Sequence, residues 1–191
     1  MIYRLKEFKG DTIPVPQLVF SKLGIAEEYN VRVALYVLAT GVTDPEKILE
    51  ILQRSKVVHL GLCDGNQPYV VPMNYGYEMQ EGRLALYLHG APQGRKYDVM
   101  ARQPRVSFTM ECDLQPFTGK VACMYGLSYS CLMGEGTASF VEDPAEKCRA
   151  LSLIMKTQTG EDFSFDEKLA SVVRIVRIDV ESYTAKHRPL P

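Results

Sequence analysis

The residues with the most chemical potential stand together at positions 89–96. His89 ends an apolar strand pattern, Gly90-Ala91-Pro92-Gln93-Gly94 reads as a turn, and Arg95-Lys96 opens a helix pattern. Histidine changes charge near neutral pH, so His89 is a candidate acid or base, or a contact to a bound ring. An arginine fork and a lysine ammonium beside glycines, at a helix start with free backbone N–H groups, suit a phosphate. Cations there oppose the helix dipole, which adds weight to the reading in which an anion joins them. The competing readings are a hydrogen-bonded strand-end histidine and a basic surface turn; spacing alone leaves these alternatives open. Just upstream, Pro72 and Asn74 interrupt the strand pattern 69–77. Proline cannot donate to a ladder. Either the interruption bares backbone to a flat ligand, with Asn74 offering its amide, or this is an edge strand.

Other chemistry is less well supported. Three histidines are too few to choose a catalytic triad by spacing, and His59 sits inside an apolar strand pattern as a structural residue. No His/Cys cluster has zinc spacing, so no metal site is expected. The five cysteines are scattered and form no Cys-x-x-Cys pair. Free thiols in a reducing cytoplasm are the expectation. The first ten residues are too charged for a signal sequence. No apolar run approaches the ~20 residues that span a bilayer, so no membrane partner is expected. A net charge of −1 over 191 residues gives no basic field for nucleic acid.

The elements that must position these residues follow from periodicity. Residues 1–43 read as an extended arm and one amphipathic helix, an extension distinct from the domain at 44–191. Thr43-Asp44-Pro45-Glu46 starts a helix over 46–55, with either Thr43 or Asp44 as cap. Strands are expected at 57–63, 69–77, 83–89, 105–111, 125–141 and 172–180. Asp64-Gly65 turns the first into the second. Helices are expected at 94–102 and 145–158, and a polar tail at 181–191. Gly134 and Gly136 mark a bulge or bend in their strand. Six short hairpin-linked strands with few helices predict a mainly β fold, a closed six-stranded antiparallel barrel with α-helices. A small barrel fills its own interior, so a sizeable cofactor belongs outside it, at a dimer seam.

An ordered set of motifs resembles one family. Residues 51–57 with His59-Leu60, then residues 65–75, are similar to the opening of the nitroimidazole-resistance (Nim) flavoproteins. These belong to the pyridoxamine 5′-phosphate oxidase-like FMN-binding split-barrel superfamily. Leu86-Tyr87-Leu88-His89-Gly90-Ala91, Gly94-Arg95-Lys96, Gln103-Pro104-Arg105-Val106, Gly134-Glu135-Gly136 and Val141-Glu142-Asp143-Pro144 continue the match, over roughly residues 44–187. The resemblance implies a homodimer with FMN at its interface, haem or a deazaflavin being less expected cofactors. It implies that Arg95 and Lys96 hold the FMN phosphate. Val71, Pro72, Met73, Asn74 and Tyr75 would lie against the isoalloxazine, with Asn74 where the oxidase branch has lysine. Leu88, His89 and Gly90 would border the flavin, with His89 as catalytic residue, and Ser130 would come from the partner subunit. Gly90 departs from the serine usual after this histidine and removes one hydroxyl. The implied activity is FMN-dependent reduction of small electron-poor substrates such as nitroimidazoles and other nitro-aromatics. The alternative is a non-catalytic flavin- or haem-binding redox or sensor module. A nucleic-acid role for the N-terminal helix is disfavoured by the near-neutral charge.

Overall fold

The computed structural model describes residues 41–191. The expected arm and helix therefore lie, up to residue 40, outside the described residues. The first half contains β1 (Gly41–Val42), α1 (Pro45–Arg54), β2 (Val58–Asp64), β3 (Gln67–Met73), β4 (Tyr75–Gln80), β5 (Arg83–Gly90) and α2 (Arg95–Arg102). After it come β6 (Arg105–Phe117), β7 (Gly126–Val141), α3 (Pro144–Thr159), α4 (Glu167–Ser171) and β8 (Arg174–Arg188). A single 3₁₀ turn at Ala122–Met124 joins β6 to β7.

Aspartates set most of the helix starts. The Asp44 carboxylate accepts the Glu46 amide at 3.0 Å and caps α1, so the cap is Asp44 rather than Thr43. Asp143 accepts the Glu146 amide at 2.8 Å and caps α3. Asp166 does the same for α4 through the Leu169 amide at 2.8 Å. Each cap satisfies an amide that the helix itself cannot. In α2 the cap position is Gly94, at φ 151°, and no side chain bonds the first turn.

The eight strands form one sheet in the order β3-β2-β6-β7-β8-β5-β4, with β1 paired to β8 off this path. The expected closed, six-stranded barrel is incorrect in both number and closure. The pattern 69–77 is not one strand: it breaks at Asn74 into β3, which pairs with β2 (Leu60↔Val71), and β4, which pairs with β5 (Tyr75↔Leu88). The two halves thereby stand at opposite ends of the sheet. They follow one another end to end through a single residue, so they cannot lie side by side and form the ladder that closure needs. Pro72, with no N–H to give, stands on an edge strand. The expected polar tail is also strand as far as Arg188, laddered on β7 through Glu135↔Ser182 and Ser130↔His187. The register of that ladder slips between Glu135 and Gly136, at the glycine pair.

Both faces of β5 are covered. Leu84, Leu86 and Leu88 enter the main core with Leu52, Leu60, Met110 and Ile178. Ala85 and Tyr87 point the other way, into a second layer with Leu151, Ile154 and Ile175. This alternation is the period of two expected of a strand, and it puts the backbone of His89 at the end of a rigid, doubly packed element. α3 supplies the second layer and comes close to β4 because residue 76 has no side chain. A Cβ on Gly76 would strike the backbone N of Ile154 and lie 2.6 Å from the carbonyl carbon of Leu153. Helix backbone cannot step aside as a side-chain tip does. Gly76→Ala is expected to destabilise the domain towards the upper end of about 1–3 kcal/mol, read as a lower urea midpoint at unchanged slope.

Candidate functional site

An open groove of about 440 Å³ lies where β3, β5 and α2 approach one another, lined by Val57, Val71, Pro72, Met73, Asn74, His89 and Lys96. The break at Asn74 therefore brings six residues singled out from the sequence to one surface. Val57 was not among them; it sits in the connection between α1 and β2, within the motif at 51–57 but with no site role read from it.

The polar contacts of Asn74 are fixed by its surroundings. Its Nδ2 donates to the Lys56 carbonyl at 3.1 Å and to the Gln158 Oε1 at 3.2 Å. Gln158 in turn donates its own Nε2 to the Tyr75 carbonyl at 2.9 Å. Backbone carbonyls at both ends of this chain only accept, so both amides are held in one orientation. The donor group of Asn74 is spent on the fold. What remains of the amide for a ligand is its carbonyl oxygen.

Arg95 and Lys96 part company. Arg95 bonds Asp64 through Nε at 3.2 Å and lies 4.6 Å over the Tyr69 ring. Asp64 also takes a 2.6 Å contact from Arg102. The hydrogen bonds from Arg102 and then Arg95 hold its carboxyl below the usual carboxylate range. Lys96 instead turns into the groove, its Nζ 4.5 Å from the centre of the Tyr97 ring. Tyr97 is 1% exposed, and its hydroxyl bonds nothing among the described residues. Burial raises its pKa while Arg174 opposes the rise, so the hydroxyl keeps its proton and can donate.

Gly90 is explained by the same tyrosine. A Cβ at this position would collide with the Tyr97 hydroxyl and lie 3.4 Å from Lys96 Nζ. A serine in this setting would have to displace the tyrosine. Gly90 therefore makes room for one hydroxyl where the resemblance had suggested only the loss of another. Tyr97 was missed because, in the sequence, it reads as the buried side of a short helix.

His89 is half-buried, and its Nδ1 is enclosed without a hydrogen-bond partner among the described residues. Burial pushes its pKa below the ordinary histidine value. The imidazole is neutral at pH 7, with one ring proton to donate and one lone pair to offer.

The other expected site residues lie elsewhere. Tyr75 is fully buried, and its hydroxyl donates to the Leu52 carbonyl at 2.6 Å. Leu88 is fully buried in the main core. Ser130 is buried in a separate pocket of about 160 Å³, where its Oγ lies 2.9 Å from Nδ1 of His187. Another cavity, of about 320 Å³, lies beside Glu78, Arg83 and Arg177. Within it Arg177 pairs with Asp179 at 2.8 Å, and it holds no orphaned buried group. Among the described residues no cluster of His, Cys, Asp and Glu is arranged to hold a metal ion. No helix among them is long and apolar enough to cross a membrane.

Comparison with known proteins agrees with the motif order. The family described as pyridoxamine 5′-phosphate oxidase matches residues 44–187. A protein of Bacteroides thetaiotaomicron named for 5-nitroimidazole antibiotic resistance is 31% identical, over 76% of this chain and 85% of its own, with a TM-score of 0.65. The flavocytochrome Anf3 of Azotobacter vinelandii shares the fold at 19% identity, over 79% of this chain and 70% of its own, with a TM-score of 0.63. So does an FAD- and haem-binding protein of Mycobacterium smegmatis, at 14% identity over 78% and 74%, with a TM-score of 0.65. No curated protein matches. Over residues 44–187, with their ordered motifs and their groove at the strand break, the chain belongs to the pyridoxamine 5′-phosphate oxidase family.

Proposed function

We propose that the groove binds FMN and that the protein is an FMN-dependent oxidoreductase acting on small electron-poor molecules, nitroimidazoles and other nitro-aromatics among them. Family membership supports a flavin-type redox protein. The observation that carries the narrower reading is the pair of enclosed, unpartnered groups at the end of β5, His89 Nδ1 and Tyr97 Oη, beside the groove that Lys96 enters. Buried polar atoms without partners are costly, and a bound polar ligand relieves that cost. The groove suits the cofactor in size and in character, with an apolar wall at Val57, Val71 and Met73 and a cation at one end.

When bound, FMN would supply reversible electron transfer. The chain would supply position and electrostatics. Val71, Pro72 and Met73 offer a flat wall, and Asn74 a fixed acceptor. Tyr75 and Leu88 hold that wall from the core side. His89 serves as a neutral hydrogen-bonding partner at pH 7, and as an imidazolium acid only below its lowered pKa. In this reading the site is completed in a homodimer by Ser130 of the partner subunit. On its own chain Ser130 lies in a pocket apart from the groove. A non-catalytic haem-binding module is the rival reading, because a neutral imidazole with a free lone pair also suits an axial ligand.

Two measurements follow. The purified full-length chain should be yellow, release FMN on denaturation and show no haem Soret band. Added FMN at a hundredfold excess over its Kd should stabilise it by about 2.7 kcal/mol, or roughly 5–10 °C in Tm. A colourless protein with no thermal response to FMN would refute the assignment. For His89, ring NMR should place the pKa below about 6.5. As pH falls through 6.5 the unfolded chain takes up a proton that the folded imidazole refuses, so stability should decline towards the folded pKa and then level off. His89→Gln should remove that part of the acid-side decline, and an unchanged pH profile would contradict the burial of this ring.

A further inference from the structure

The donors around Asn74 are all committed to carbonyl groups of the chain. Asn74 Nδ2 gives its hydrogens to the Lys56 carbonyl and to Gln158 Oε1. The Lys56 ammonium donates to the carbonyls of Gln53 at 3.0 Å and Thr157 at 2.6 Å. Gln158 Nε2 donates to the Tyr75 carbonyl. No described residue donates to Asn74 Oδ1, although Asn74 is exposed and lines the groove.

Gln158, 84 positions from Asn74, stands in the last turn of α3 and does not line the groove. The absent side chain at Gly76 lets α3 lie against β4, which carries this turn to the strand break. Turning the Asn74 amide over would set its oxygen against two acceptors and lose both bonds. Gln158 cannot turn to suit it without setting its own oxygen against the Tyr75 carbonyl. The groove therefore presents at its strand break an acceptor that cannot become a donor.

Its complement in a ligand is an N–H or O–H group. Lys96 lines the groove and no carboxylate does, so charge opposes a cationic donor. The apolar wall at Val57, Val71 and Met73 suits a flat ring. A neutral ring N–H meets all of these conditions.

We infer that Asn74 is a specificity-determining residue that selects a planar ligand bearing a neutral ring N–H, and that Gln158 is the positioning residue that keeps it an acceptor. This rests on the groove being the site of FMN and its substrate. Oxidised FMN carries such an N–H at ring position 3, and so does a nitroimidazole without a substituent on its ring nitrogens.

The test uses two sets of probes that differ by one N-methyl group: FMN with 3-methyl-FMN, and 2-methyl-5-nitroimidazole with its N-methyl derivatives. Affinities for the full-length chain come from flavin fluorescence quenching in the first set. In the second they come from titration of the side-chain amide resonances of Asn74. In wild type, methylation should weaken at least one set about fivefold or more, the loss of one neutral hydrogen bond, and the set affected tells whether cofactor or substrate supplies the donor. Gln158→Leu should cut that ratio to about half or less, and Gln158→Glu, which keeps an acceptor for Asn74 Nδ2, should restore it. Ratios below about two for both sets in wild type would overturn the proposal. A ratio unchanged in Gln158→Leu would also overturn it, since the bulk of the methyl group would then be the cause. If wild type binds no FMN, the FMN reading fails and the nitroimidazole set decides alone by the same limits. Failure to bind any member of that set would then overturn this inference too.

Discussion

The side-chain amide of Asn74 is the point on which the molecule turns. It donates to the carbonyl that follows α1 and to Gln158 near the end of α3, while Gln158 reaches back to the backbone of Tyr75. Three segments far apart in sequence are thereby fixed around one residue between two strands. Lys56 reinforces the junction by donating to the Thr157 carbonyl at 2.6 Å. With the break held in this way, β3 and β4 can serve opposite edges of one sheet, and the groove opens beside the residue that separates them. A strand that ran straight through position 74 would have neither the edges nor the groove.

Charge is distributed around the groove with the same economy. Asp64 gathers Arg95 and Arg102, so the basic turn at 94–96 is half neutralised by the fold itself. Lys96 and Arg174 are left with aromatic faces as their neighbours. Aromatic faces attract cations without neutralising them. Their positive charge therefore stays unneutralised beside Tyr97. The same region has a neutral histidine with an open nitrogen, a protonated phenol and uncapped helix amides. Each of these interacts favourably with a polar, anionic ligand and unfavourably with an empty apolar surround.

Much of this was legible where the determining contacts are local. The Asp-Pro helix starts at 44 and 143, the Asp64-Gly65 turn, with Gly65 at φ 64°, and the slip at Gly136 are all settled by a few neighbouring residues. The interruption at Pro72 and Asn74 was also visible, but its consequence was not. Which strand each half joins depends on β2 and β5, and end-to-end strands defeat the barrel closure that short antiparallel hairpins suggested. The strand over 181–188 was hidden because one of its faces meets solvent and its composition is polar. Gly90 was read as a missing hydroxyl, since nothing in sequence order shows that Tyr97 fills its place. Arg174 joins the cluster only through the register Gly90↔Arg174, a pairing across more than eighty residues of chain.

The central claim is that a ligand sits at the strand break and not in one of the other cavities. Amide hydrogen exchange of the full-length chain, with and without saturating FMN, tests it most directly. Slowed exchange concentrated at residues 71–75 and 89–97 is the expected result. Protection confined to residues 78–85 and 177–180, around the cavity beside Glu78, Arg83 and Arg177, with no change at 71–75 and 89–97, would contradict it.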